Sequence, residues 1–175
     1  MITVKTLITG DVGAGKTEFI RTVSDIDPVL IREKVTGGST RLEPETAAAM
    51  DFGRVSLDDD LVLHLYGTTG LIRFDFIYDI LSTGILGCVV LVDSTRLQTC
   101  PPTRRTVDFI EVVSDSPYVV VANKQDAEDA FSAEDIRYVL SVADDVPVLP
   151  CVARNKEQVK EVLYTLFDRT LVSAN

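Results

Sequence analysis

The run Gly10-Asp11-Val12-Gly13-Ala14-Gly15-Lys16-Thr17 carries the most specific chemistry in this chain. Its glycines let the backbone curl, so that successive N–H groups and the start of a following helix point at one anion. Lys16 supplies a positive charge for the outer oxygens of a polyphosphate, and the Thr17 hydroxyl is suited to Mg²⁺. The spacing is G-x-x-x-x-G-K-[ST], placed after an apolar run at 3 to 9 and before a helical pattern at 16 to 23, the context such a loop requires. A glycine-rich turn with a chance Lys-Thr is the plainer alternative. Typical residue frequencies put that coincidence at well under ~1% of chains this long.

A second constellation, Asn123-Lys124-Gln125-Asp126, closes the apolar run YVVVA. A carboxylate at Asp126 can accept from both N1–H and the 2-amino group of guanine, whereas adenine offers neither donor. Asn123 can brace the loop and approach the base, and the Lys124 stem can cover the face of a ring. The alternative is an ordinary polar strand-to-helix turn, where Asn and Asp are common.

These loops need elements to hold them. Apolar runs of strand length recur at 3 to 9, 61 to 66, 87 to 93, 118 to 123 and 146 to 151, nearly continuous in Val and Leu, as strands covered on both faces are. The segment 49 to 57, followed by Asp58-Asp59-Asp60 and the strand LVLHLY, predicts a hairpin that adds an antiparallel strand. Helical periodicity fits 16 to 23, 71 to 82, 103 to 113, 133 to 142 and 156 to 172. Ser132 is placed to cap the fourth helix, with Glu134 and Asp135 in its first turn. The expected fold is α/β, a doubly wound, mostly parallel six-stranded sheet with one antiparallel edge strand, forming one domain over 1–175. Ligands of such sheets sit outside the carboxyl ends of the strands, where both motifs fall.

The 175 residues, 46% apolar and 25% charged, suffice for a core without staples. A net charge of −10 disfavours nucleic acid and anionic membrane as partners, so a polyphosphate must be held locally. Cys88, Cys100 and Cys151 form no C-x-x-C pair, which suits a reducing cytoplasm. No apolar run reaches the ~18 residues of a membrane span, and neither a signal peptide nor a lipid-anchor motif is recognisable, with Ile2 where myristoylation needs glycine. His64 reads as a strand residue without a second His for a metal pair, and Asp126 to Asp129 as a solvated loop whose spacing matches no Ca²⁺ site.

The two motifs in this order resemble the small GTPase family, and the resemblance covers essentially the whole chain. MDFG at 50 to 53, LHLYGTTG and GCVVLVDSTRL are most similar to prokaryotic members of the gliding-motility (MglA-like) and conservon-encoded types. The resemblance implies GTP or GDP with Mg²⁺ as ligands, and regulators (an activator of hydrolysis or an exchange factor) and effectors engaged through two switch regions. Nucleotide contacts then fall to Gly10 through Thr17, to Gly70 of the second switch, to Asn123, Lys124 and Asp126, and to Val152 and Ala153, the latter donating its N–H to the guanine O6. Thr17 of the phosphate loop is an implied metal ligand; for the second, gapless alignment puts Ala47 at the family's first-switch Thr, so that Thr46, one residue earlier, is the candidate, with Thr40 further upstream as the alternative. Arg41 is a solvated loop arginine or, alternatively, an internal arginine finger.

Departures from the family pattern matter for rate. The second switch of the family reads D-x-x-G-Q, where this chain has Gly67-Thr68-Thr69-Gly70-Leu71: Gly67, shared with the conservon-encoded type, need not abolish metal binding, whereas Leu71 cannot orient the attacking water. Val12 stands where many members have glycine and crowds the space beside a γ-phosphate. Slow hydrolysis is expected. Besides a GTP/GDP switch, the residues allow a pseudo-GTPase scaffold with negligible turnover; an ATP-dependent kinase conflicts with Asp126 and lacks a lid-like insertion. The apolar cluster 71 to 78 suits a partner-binding face as well as helical burial.

Overall fold

A computed structural model describes residues 1–33, 48–68 and 85–173. Strand β1 (Ile2–Gly10) leads through the glycine-rich turn into α1 (Lys16–Val23); β2 (Val29–Glu33), β3 (Ala48–Ser56) and β4 (Leu61–Thr68) follow. Then come β5 (Gly87–Asp93), a single 3₁₀ turn (Leu97–Thr99), α2 (Cys100–Val113), β6 (Tyr118–Asn123), α3 (Ala133–Leu140), β7 (Val148–Pro150) and α4 (Lys156–Ser173). The strands form one sheet in the order β2-β3-β4-β1-β5-β6-β7. Strands β4, β1, β5, β6 and β7 pair in parallel, and β3 is antiparallel to both β2 and β4.

The continuous apolar runs of β5 and β6 are explained by two cores. Cys88, Val90, Val92, Val120 and Ala122 point to a core shared with Val107 and Ile110 of α2 and Ile136 and Leu140 of α3. Val89, Leu91, Val119 and Val121 point to the other, against Phe19 and Ile20 of α1 and Val159, Val162 and Leu166 of α4. Successive strand residues face opposite sides, so a strand covered on both faces must be apolar at every position.

The expected α/β class holds, with antiparallel pairing confined to one edge, but among the described residues the sheet has seven strands and not six. The additional strand is β2, whose Val29 and Leu30 are 49% and 56% exposed, so no buried alternation marks it in the sequence. The hairpin turns at Asp58 to Asp60 as expected, closed by the Leu57 N–H on the Leu61 carbonyl at 2.9 Å. Helix α2 begins three residues earlier than its periodicity, since Pro101 and Pro102 occupy a first turn whose N–H groups have no helical partner. Ser132 caps α3 in a capping box with Asp135, and Ser141 ends that helix with φ 50. The helical pattern at 71 to 82 lies outside the described residues, as do Arg41, Thr46, Gly70 and Leu71. Among the described residues no helix is long and apolar enough to cross a membrane.

Candidate functional site

β1, β5, β6 and β7 lie side by side, so the loops leaving their carboxyl ends converge at one rim of the sheet. The glycine-rich loop leaves β1 in a conformation that side chains resist: Gly10, Gly13 and Gly15 have φ of 138°, 78° and 101°. A Cβ on Gly15 would come within 2.3 Å of the Asn123 amide nitrogen, so the loop meets the base motif only because position 15 has no side chain. No side chain caps the start of α1, which leaves the helix N-terminus and its dipole facing the loop. Lys16 is buried, and its ammonium donates to the carbonyls of Gly10 and Asp11, each at 2.7 Å. Burial pulls its pKa down to about 8, against the raising influence of Asp11 and Asp51. A phosphate in the loop would push it back up.

The base motif sits on the next loops. Asn123 is 2% exposed; its Nδ2 donates to the Ala14 carbonyl at 2.8 Å and its Oδ1 accepts the Ala153 N–H at 2.9 Å. The Ala153 N–H expected to face a base thus rests on Asn123, and the Val152 N–H is held by Gln158 Oε1 at 2.7 Å. Lys124 adopts φ 67, turning the loop outward. Asp126 is solvent-exposed and pairs with Arg154 at 2.7 Å. Gly15, Lys124, Asp126, Val152, Ala153 and Arg154 line an open pocket of about 360 Å³. A neighbouring cleft of about 380 Å³ is lined by Val12, Gly13, Lys16, Thr17, Asp51 and Thr68.

Asp51 stands where sequence reasoning did not look. It faces Gly67 in the β3–β4 register, and its Oδ2 accepts the Thr17 hydroxyl. A carboxylate on the next strand thus stands beside position 67 and Thr17. The signal was present as an Asp one strand over, but only register brings it to Thr17. Asp93, the last residue of β5, was also missed. Among the described residues no group of three His, Cys, Asp or Glu could hold a metal; a hydroxyl and a carboxylate fit Mg²⁺, which takes few protein ligands and fills its shell with phosphate and water. His64 is a strand residue, as expected, lying edge-on to Phe52 at 5.0 Å, with its pKa lowered by burial and by Arg54 and Lys5. All three cysteines are free and buried.

A strand, glycine-rich loop and helix at the head of a mostly parallel sheet, with a base-type loop two strands over, define a P-loop nucleotide-binding fold of the small-GTPase kind. The family described as conserved hypothetical ATP binding protein matches residues 8–172, and the chain belongs to that family. It is also similar to ADP-ribosylation factor-like protein 3 of Saccharomyces cerevisiae, 25% identical over 166 residues that cover 90% of this chain and 80% of that protein.

Proposed function

We propose that this chain is a guanine-nucleotide switch, one domain over 1–175 that holds GTP or GDP with Mg²⁺ in the cytoplasm and acts through regulator and effector proteins. One observation carries the reading: the buried Asn123 amide joins the phosphate loop at Ala14 to the β7 loop at Ala153, placing both motifs around one cleft. On this reading the backbone from Gly10 to Thr17 wraps the phosphates and Lys16 neutralises the outer ones. Asp126 accepts from the base edge, Lys124 covers its face, and Val152 and Ala153 border the carbonyl side. Thr17 and Asp51 hold the Mg²⁺, which supplies charge neutralisation between phosphates; Thr46 and Gly70 complete the γ-phosphate sensing, and Arg41 is the candidate arginine finger. The family description names ATP, so the base is the point to test. Nucleotide released from the purified recombinant protein is expected to be GDP or GTP; ATP or ADP in its place would reject the guanine assignment.

A second reading, a scaffold with negligible hydrolysis, is favoured by Val12. Its side chain is 58% exposed and borders the cleft beside Thr17 and Asp51. A branched apolar group there obstructs an incoming catalytic side chain, and Leu71 cannot orient water. Single-turnover GTP hydrolysis is expected at or below ~10⁻⁴ s⁻¹, the slow intrinsic range of the class. Val12→Gly together with Leu71→Gln should raise turnover more than either alone, since each removes a different obstacle. A parent rate near that of activator-stimulated enzymes would contradict this.

A further inference from the structure

Behind the groups that would touch nucleotide stands a carboxylate with no assigned role. Asp93 closes β5, the strand between β1 and β6, and therefore sits between the phosphate loop and the base loop. It is 1% exposed and accepts four hydrogen bonds. Oδ1 takes the Thr95 N–H at 3.0 Å and the Thr95 hydroxyl at 2.7 Å; Oδ2 takes Arg96 Nε at 2.9 Å and Lys124 Nζ at 2.6 Å. Burial alone would raise its pKa, but the bonds from Lys124, Thr95 and Arg96 outweigh that and hold it well below the ordinary carboxylate range.

Arg96 extends the junction. While Nε rests on Asp93, Nη2 donates to the Val12 carbonyl at 2.9 Å. The guanidinium lies close along Gly13, where a Cβ would stand 3.0 Å from Nη2. One buried carboxylate thus holds two cations, one clamping the phosphate loop and one belonging to the base motif.

We propose that Asp93 and Arg96 are positioning residues that couple the phosphate loop to the base-recognition loop, so that binding at either organises the other. The inference rests on the nucleotide-binding reading above. Arg96 bridges with two different nitrogens of a planar fork, which a lysine ammonium cannot reproduce. Loss of the bridge should therefore penalise a ligand that engages both loops more than one that engages only the first.

The test compares GDP with inorganic pyrophosphate on the full chain, in the parent, Arg96→Ala and Arg96→Lys. Both variants are expected to lose about twentyfold in GDP affinity and less than about threefold in pyrophosphate affinity, a ratio of roughly sevenfold or more, within the usual range of coupling between sites. Equal losses for the two ligands, no loss, or full rescue by lysine would overturn the coupling. If Arg96→Ala fails to fold, Arg96→Lys keeps charge and bulk and decides alone. A parent that binds neither ligand rejects the nucleotide reading itself, whereas a parent that binds GDP beside an unaffected variant rejects only this inference.

Discussion

Titrated with fluorescent GDP and ADP, the protein is expected to prefer GDP by at least about a hundredfold. Guanine brings two donors to Asp126, and a hydrogen bond to a charged acceptor contributes ~1.5–3 kcal/mol. Two of them correspond to roughly 10²–10⁴ in affinity. Sites of this kind discriminate most when a mismatched ligand leaves buried groups unpaired. Asp126 is not buried: its side chain is 44% exposed and already has Arg154 as a partner. With adenine bound it keeps that partner and water, which places the expectation at the lower part of the range. Asp126→Ala should bring the two affinities together while leaving pyrophosphate binding largely intact. Similar affinities for GDP and ADP in the parent would return the site to the nucleotide named in its family description.

Gly10→Ala is expected to cost ~3 kcal/mol or more, toward the severe end for single substitutions. Gly10 has φ +138, and a Cβ there would lie 2.1 Å from the Leu91 carbonyl oxygen. Leu91 is its register partner in β5, in the middle of the sheet, so neither backbone can retreat without breaking the ladder. Gly13→Ala is the matched control. Its φ of +78 is also strained, but its Cβ would meet only the end of the Arg96 side chain, so ~1–2 kcal/mol is expected. Urea unfolding of the parent and both variants measures this directly. A Gly10→Ala midpoint as high as that of Gly13→Ala would show that the β1–β5 pairing yields more easily than its register implies.

What the sequence disclosed follows from where the information is local. The phosphate loop was legible because its glycines, lysine and threonine act within one turn of backbone, and β5 and β6 because burial on both faces leaves no polar residue inside them. Strand β2 was not, because an edge strand with Val29 and Leu30 facing solvent carries no such signature. Asp51, Asp93 and Arg96 depend on which strand lies beside which. Asp93 did leave a trace as the polar end of the run GCVVLVD, and its ties to Thr95 and Arg96 are local, but the tie to Lys124 exists only once β5 and β6 are adjacent. The Arg154 partner of Asp126 was likewise invisible, since 28 residues separate the two.

Gly67 limits how the site beside Thr17 can be altered. A side chain there would begin 2.6 Å from Ile20 Cδ1 and 3.3 Å from Asp51 Cβ. If Asp51 holds the metal as proposed, the acidic group sits one strand to the side of the position where the family pattern has it, and Ile20 and Asp51 occupy the space a side chain at 67 would need. Gly67→Asp alone would crowd α1 and set two carboxylates against each other. The two positions are therefore interlocked: moving the carboxylate from β3 to β4 requires changes in both strands and in Ile20 of α1 together.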